Sequence, residues 1–206
     1  MSKRRGSLFL FILVLVILLI AVFLGQDIIL GFLKKSNIDM GKKIVELKEE
    51  IIPLKIKITS IENDVIYYTM RFYDTEDTLV KTVEDSITGQ YLFIDFIIIK
   101  GKDGYLFFPN IVYSDIIPSA IGKDLIHLYN EGGFPLIYLK SKMDKNYIDY
   151  IKKGFAYSLD ADLQKDGVHG FGNSLHLIGG IQKIHLNYYY FYTCHTKKGG
   201  VEVILK

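Results

Sequence analysis

The chain has 206 residues, a formal net charge of +2, 50% hydrophobic and 23% charged residues, one cysteine and no tryptophan. This length suits one membrane segment and one domain, or at most two small domains. The composition excludes collagen, coiled-coil arrays and a disordered charged tail. A single cysteine also excludes an internal disulfide, a cysteine-rich zinc module and an iron–sulfur cluster.

The N-terminal region predicts a membrane anchor. An uninterrupted apolar run of seventeen residues starts at Leu8 and ends at Leu24. As a helix it would be ~25 Å long, slightly shorter than the ~30 Å hydrocarbon core of a bilayer. Basic residues at positions 3–5 favour a cytoplasmic N-terminus. We therefore expect a cytoplasmic stub at 1–7 and a single-pass signal-anchor in the lipid bilayer at 8–33, which includes a juxtamembrane extension. An extracytoplasmic domain should follow at 34–206.

A cleaved signal peptide is the alternative interpretation of this region. The apolar core of such peptides is usually ~7–15 residues long and ends at small residues. Here the core is longer, and bulky residues lie within 21–26, where a signal peptidase requires small ones. An uncleaved anchor with its N-terminus inside and its C-terminus outside is therefore favoured. The bacterial inner membrane is the preferred location, because the link to the domain is short and the sequence has no N-glycosylation sequon.

Charge in the predicted domain argues against nucleic acid as a partner. Residues 34–206 contain 22 basic and 22 acidic residues and are formally neutral. Only one arginine, Arg71, lies in this region, and the lysines are scattered. A nucleic-acid binder needs clustered lysine and arginine to neutralise phosphates.

The first half of the domain predicts β-structure of an α+β fold, with a mainly antiparallel sheet and two or three short helices. Residues 43–52 have an approximately helical apolar stripe before Pro53, although a strand is also compatible with this pattern. Predicted strands at 54–59, 65–73 and 78–83 are joined by short polar turns, which indicates an antiparallel meander.

The most apolar stretch outside the anchor, residues 91–99, predicts a central strand that is buried on both faces. Nine residues are too few to span a bilayer as a helix, and the stretch is rich in β-branched and aromatic residues. A tight turn at 101–104 leads into residues 105–108, so the sequence predicts a hairpin here.

The second half of the domain predicts shorter elements separated by loops. A helix that Asp144 caps should close at Gly154, which follows two lysines that favour a helix C-terminus. The other expected elements are a short helix at 123–131, a strand at 134–139, a loop at 160–180, a long β-rich run at 181–196 and a closing strand at 201–205.

Histidines cluster near the C-terminus but do not have the spacing of a metal site. His169, His176, His185 and His195 lie in the last 38 residues, beside the lone thiol of Cys194. On one strand, His185 and His195 would be ~33 Å apart, beyond the reach of one metal ion. Cys194 and His195 would point to opposite faces, and the spacing of His169 and His176 matches no helical ligand pair. The sequence therefore predicts no metal and no cofactor.

The glycine-rich segment at 167–174 is the best candidate for a functional loop. Its glycines allow backbone N–H groups to approach an anion, although the segment lacks the lysine of a phosphate-binding loop and the serine-centred motif of hydrolases. The alternative function is a membrane-anchored hydrolase that uses His169, Ser174 or His176. Asp95 belongs with these candidates, because a carboxylate inside an apolar strand is costly unless it is paired or protonated.

The aromatic run from Tyr188 to Tyr192 places aromatic rings on both faces of a strand. One face should lie in the core, and the other, with Tyr189 and Phe191, is a candidate contact surface, although a cross-strand ladder explains the same pattern. Cys194 should be a small buried hydrophobe, with an intermolecular disulfide as the other possibility.

The sequence predicts a non-enzymatic, membrane-tethered extracytoplasmic domain that binds another envelope component, either a protein or a glycan. This interpretation depends on the anchor, the neutral β-rich domain and the lack of a catalytic motif. The membrane-anchored hydrolase remains the competing hypothesis.

Overall fold

Two antiparallel sheets dominate the part of the chain that the computed structural model describes, which is residues 48–101, 104–160, 171–172 and 174–206. The expected cytoplasmic stub and membrane anchor lie outside the described residues, as does the start of the domain up to residue 47. Within the described part, we find no helix with the length and apolar character needed to cross a bilayer.

The first sheet has five strands in the order β11-β10-β1-β2-β3. Its strands are β1 (Glu50–Glu62), β2 (Val65–Tyr73), β3 (Leu79–Thr88), β10 (Tyr189–His195) and β11 (Val201–Leu205). Strands β1, β2 and β3 form the antiparallel meander that the sequence predicts. Strand β10 pairs with the other edge of β1, so the C-terminal hairpin completes the sheet.

The second sheet has four strands in the order β6-β5-β4-β9. Its strands are β4 (Leu92–Lys100), β5 (Tyr105–Ser114), β6 (Lys123–Asp124) and β9 (Ser174–Ile181). Strands β4 and β5 form the predicted hairpin, and β4 lies in the middle of the sheet, as its apolar sequence indicates.

The hydrophobic core lies between the two sheets. Alternate residues of β1, including Leu54 and Ile56, are fully buried there. Phe96 of β4 stacks on Tyr192 of β10 with their ring centroids 5.7 Å apart. A Cβ atom at Gly179 would lie 2.6 Å from the Tyr192 ring, so glycine permits the sheets to approach each other at this point.

The opposite face of the four-stranded sheet is partly covered by the helix α2 (Lys145–Leu159). Asp144 caps this helix as predicted, and its side chain accepts a hydrogen bond from the backbone N–H of Tyr147. Phe155 packs on Phe108 of β5 at a centroid distance of 5.1 Å. The helix therefore covers one end of the sheet.

A segment of short elements lies along the edge of β5. It contains the 3₁₀ turns at Ser119–Ile121 and Leu136–Tyr138, the single-turn helix α1 (Ile126–Tyr129), and the short hairpin of β7 (Asn130–Glu131) with β8 (Phe134–Pro135). The hydroxyl of Tyr129 donates to the carbonyl of Pro109, and the backbone N–H of Phe107 donates to the hydroxyl of Tyr138. These bonds satisfy backbone groups of β5 that no strand pairs.

The predicted fold class is confirmed at the level of a mostly antiparallel sheet domain with few helices. Two predicted boundaries in its first half differ from the structure. Residues 50–52 begin β1, so the helix expected at 43–52 is wrong for this part, and residues 43–47 lie outside the described residues. Strand β3 runs to Thr88, beyond the predicted end at residue 83.

The second half contains more corrections. The predicted loop at 160–180 is wrong from Ser174 onwards, because β9 pairs with β4 there. The predicted run at 181–196 is interrupted between Ile181 and Tyr189, where Asn187 adopts a positive φ of 68°. The helix α2 continues past Gly154 to Leu159. The glycine lies against the side chain of Leu106, where a larger residue would clash, so it serves close packing rather than ending the helix.

Two shorter predictions in this half also differ from the structure. The helix expected at 123–131 is reduced to the single turn α1 between the strands β6 and β7. The strand expected at 134–139 ends at Pro135 and is followed by a 3₁₀ turn. The first segment pairs with β5 through β6, and the second contacts β5 through the hydroxyl of Tyr138.

Candidate functional site

The outer face of the five-stranded sheet carries cations interleaved with aromatic rings. Alternation along β1 directs Lys55 and Lys57 away from the core. Along β10, Tyr190 and Tyr192 are buried, whereas the residues between and before them are half-buried on the outer face. We define the cationic–aromatic face by the side chains of Lys55, Lys57, Arg71, Tyr73, Tyr189, Phe191 and Lys206.

Strand register brings these side chains together. Lys55 of β1 lies opposite Arg71 of β2 on one side and opposite Phe191 of β10 on the other. Lys57 lies opposite Tyr189 of β10. Both residues that the sequence indicated for partner contact, Tyr189 and Phe191, therefore lie on one face with the cations of the neighbouring strands.

The ring of Phe191 is flanked by two ammonium groups. Nζ of Lys55 and Nζ of Lys206 each lie 5.0 Å from the centroid of Phe191. Lys55 also lies over the ring of Tyr73, at 3.8 Å from its centroid. Cation–π contacts of this kind are worth about 0.5–1 kcal/mol at exposed sites. They hold the lysine side chains along the sheet.

Tyr189 plays the same role for the other two cations. The guanidinium of Arg71 lies 5.4 Å from its ring centroid, and Nζ of Lys57 lies 5.8 Å from it. Nε of Arg71 is buried and has no hydrogen-bond partner among the described residues. Tyr189 and Phe191 contact each other edge to face, with their centroids 6.5 Å apart.

The four cations of the face have no carboxylate partner within ion-pair distance among the described residues. The ion pairs of the described part of the chain involve other lysines and histidines, such as Lys48 with Asp77 and Lys123 with Asp85. The ammonium and guanidinium groups of this face therefore contact aromatic rings rather than carboxylates.

An open depression of about 490 Å³ lies on the sheet near this face. Its lining includes hydroxyl and carboxylate groups from β1, β2 and β3 and consists of Thr59, Tyr67, Tyr68, Thr69, Glu84, Asp85 and Ser86. Thr69 precedes Arg71 by two positions on the same strand, so one end of the depression adjoins the cationic–aromatic face. Its polar lining can hydrogen-bond with a hydroxylated ligand.

A second candidate site lies on the face of the four-stranded sheet that points away from the first sheet. Asp95 of β4 is buried, and its carboxylate lies 2.8 Å and 3.1 Å from Nδ1 of His176 on β9. Nδ2 of Asn110 donates to the same carboxylate at 2.8 Å. Asn110 reaches it because a bulge in β5 leaves this residue unpaired between Pro109 and Ile111.

This arrangement orients an imidazole but does not complete a nucleophilic triad. The side chain of His176 is 59% exposed, so its other ring nitrogen faces solvent. Oγ of Ser174 is buried and has no hydrogen-bond partner among the described residues, so it does not join His176. Burial, with a smaller contribution from Asp95, raises the pKa of the nearby Tyr113 phenol. His169 lies outside the described residues.

His195 and Cys194 lie next to each other near the end of β10. His195 contacts the carboxylate of Glu50 at 3.0 Å at the end of β10. Within the described part of the chain, no three histidine, cysteine or acidic side chains come together as metal ligands. Cys194 is fully buried, and burial raises the pKa of its thiol well above its usual value. The thiol is therefore placed in the core, as the sequence indicated.

Several residues of these sites were not singled out from the sequence. The alternation of Lys55 and Lys57 with isoleucines was a signal of a half-exposed strand, but only the pairing of β1 with β10 places them beside the aromatic rings. Asn110 carried no signal, because its position depends on the bulge. Comparison with protein-family models, with curated proteins and with solved structures finds no significant match to this chain.

Proposed function

We propose that this chain is a membrane-tethered binding protein whose cationic–aromatic face contacts another envelope component, either a protein or a glycan. The observation that supports this most directly is the set of four cations that lie over aromatic rings without a carboxylate partner among the described residues. The apolar run from Leu8 to Leu24 supports an anchor in the bacterial inner membrane, with the domain on the extracytoplasmic side.

Charge repulsion on this face destabilises the free protein. Like charges directly opposite each other on neighbouring strands are destabilising, and Lys55 and Arg71 form such a pair. A partner with negative charge removes this repulsion. Tyrosine and arginine are also enriched where proteins contact their partners, because they combine a large contact area with polar groups.

A photo-crosslinking experiment tests the proposal in intact spheroplasts. Thr82 is exposed and lies opposite Arg71, so a Thr82→Cys variant can carry a membrane-impermeant maleimide–benzophenone probe beside the face. The buried thiol of Cys194 should stay unlabelled. We expect a discrete adduct from this position, and we expect its yield to fall when Tyr189→Ala and Phe191→Ala are added.

Lys142→Cys provides the matched control, because Lys142 is exposed and lies in the loop before α2. It should be labelled equally and give no such adduct. If neither position is labelled by the impermeant probe, the extracytoplasmic location is contradicted. Equal labelling without a specific adduct at Thr82→Cys would contradict the proposed binding face.

A hydrolase is the second candidate, and the contact between His176 and the buried Asp95 favours it. A carboxylate that hydrogen-bonds one ring nitrogen fixes the imidazole and stabilises its protonated form. The exposed nitrogen of His176 then removes a proton from a water that attacks an ester carbonyl, and the imidazolium returns this proton to the departing alkoxide as the acyl C–O bond breaks. Asn110 would hold the carboxylate in position.

This candidate predicts that the full chain hydrolyses a chromogenic carboxylic ester. General-base catalysis typically contributes 10²–10⁴-fold, so His176→Gln should lower the rate by about 100-fold or more. Ser174→Ala should leave it unchanged, because Ser174 does not contact His176. His185→Gln is the matched control. A wild-type rate equal to that of His176→Gln would exclude this activity.

A further inference from the structure

The cations of the cationic–aromatic face are spaced like the charges of an anionic polymer. Lys55 and Arg71 lie on adjacent strands, which are ~4.8 Å apart, and Lys57 follows Lys55 by two residues, or ~7 Å along the strand. Lys206 continues the row beyond Phe191. The result is an open strip in which the cations of β1 and β2, the aromatic rings of β10 and the ammonium of Lys206 after β11 lie side by side. It is a poor enclosure for a small anion but a suitable surface for an extended chain.

Aromatic rings pre-organise this strip. A lysine or arginine side chain loses rotamer entropy when it becomes ordered on binding a ligand. Here Phe191, Tyr73 and Tyr189 already restrict the cations through contacts at 3.8–5.8 Å. Part of the entropic cost of binding an anion has therefore been met in the free protein.

The depression near the strip distinguishes between classes of polyanion. Its lining includes the hydroxyl of Thr69 and the carboxylate of Glu84, which lie opposite each other on β2 and β3. The Thr69 hydroxyl can donate to and accept from sugar hydroxyls, and the Glu84 carboxylate can accept from them, whereas the backbone of duplex DNA has no free sugar hydroxyl to offer the depression. A lipid surface is also disfavoured, because the aromatic side chains of the strip are half-buried along the sheet and do not protrude.

We infer that the ligand of the cationic–aromatic face is an acidic polysaccharide whose anionic groups pair with Lys55, Lys57 and Arg71. Its sugar hydroxyls extend into the depression at Thr69 and Glu84. This inference rests on the proposed binding function and specifies the chemistry of the partner.

Binding of the full chain in detergent to polygalacturonate tests the inference. Fully methyl-esterified polygalacturonate is the neutral counterpart, since it has the same sugar backbone without charge. We expect binding to the acidic polymer alone, and we expect it to weaken as ionic strength rises. Hydrogen bonds to charged groups are worth about 1.5–3 kcal/mol, so Lys55→Gln and Arg71→Gln should each lower the affinity by about tenfold or more. Lys142→Gln removes the same charge elsewhere and should have no effect.

Each other outcome overturns the inference in a recognisable way. Equal binding of the methyl-esterified polymer would show that charge is not recognised. Equal or tighter binding of duplex DNA or of anionic phospholipid vesicles would assign the strip to another class of ligand. If crosslinking at Thr82→Cys gives its adduct while polygalacturonate does not bind, the binding function stands and the acidic polysaccharide is excluded.

Discussion

A carboxylate in the middle of an apolar strand loses its hydration, and Asp95 recovers polar contacts from two side chains of neighbouring strands. Asn110 donates to it from the bulge of β5, and His176 approaches it from β9. Each contact offsets part of the cost of burying the carboxylate. The bulge positions Asn110, so the hydrogen bonding of the buried Asp95 carboxylate depends on the geometry of β5.

We expect Asn110→Ala to lower the free energy of unfolding by about 1–3 kcal/mol, because the buried carboxylate would lose a hydrogen-bond donor and remain desolvated. Urea denaturation of the full chain in detergent measures this change. Gln182→Ala is the matched control, since Gln182 is exposed in the loop after β9 and its truncation should cost little. A loss no larger than that of the control would show that Asp95 does not need Asn110.

At the same scale, the sequence identified some site residues and could not identify others. Asp95 was recognisable because its charge contrasts with its apolar neighbours, and Tyr189 and Phe191 were recognisable from the periodicity of β10. The partner of Asp95 was not, because His176 lies 81 residues away along the chain and is brought near by the pairing of β9 with β4. A register between distant strands leaves no local pattern.

At the scale of elements, strands with a strong hydrophobic pattern were predicted well. Strand β4 is apolar throughout, and the turn after it is rich in glycine, so its hairpin with β5 follows from local sequence. Strand β9 was missed because it lies at the edge of its sheet. Leu175, His176 and Ile178 are exposed there, so the alternation between buried and exposed residues that marks a strand is weak.

Helix α2 illustrates the opposite effect, in which packing overrides a local stop signal. Gly154 usually marks the end of a helix, and the two lysines before it strengthened that prediction. In the structure, a Cβ atom at this position would lie 2.7 Å from the side chain of Leu106. The glycine is therefore required for close approach of the helix to the sheet, and the buried Phe155 and Tyr157 extend the contact beyond it.

At the scale of the whole molecule, the two sheets separate the candidate sites. The cationic–aromatic face lies on the outer side of the five-stranded sheet, and Asp95 with His176 lies on the outer side of the four-stranded sheet. Substitutions on one face should therefore leave the other intact. The order of strands could not be derived from the sequence, because β1 pairs with β10 across more than half of the chain.

The described core of this molecule contains several fully buried phenols, which should make the fold unstable at high pH. Burial raises the pKa values of four of these phenols, those of Tyr68, Tyr129, Tyr138 and Tyr192. In the unfolded chain each phenol would titrate at about pH 10. Above this pH the folded state therefore binds more protons than the unfolded state. The stability from these groups is fully present below about pH 10 and falls as the pH rises above it.

We expect the full chain to unfold cooperatively above about pH 10, with the four buried phenols ionising together with the loss of the fold. Tyrosinate absorbance and circular dichroism measure the two events, and the 15 tyrosines without tryptophan simplify the absorbance. Tyr192→Phe should make stability fall less steeply with pH, whereas Tyr188→Phe should not, because Tyr188 is 55% exposed. Ionisation of all tyrosines in one non-cooperative step with the fold intact would contradict this account of the core.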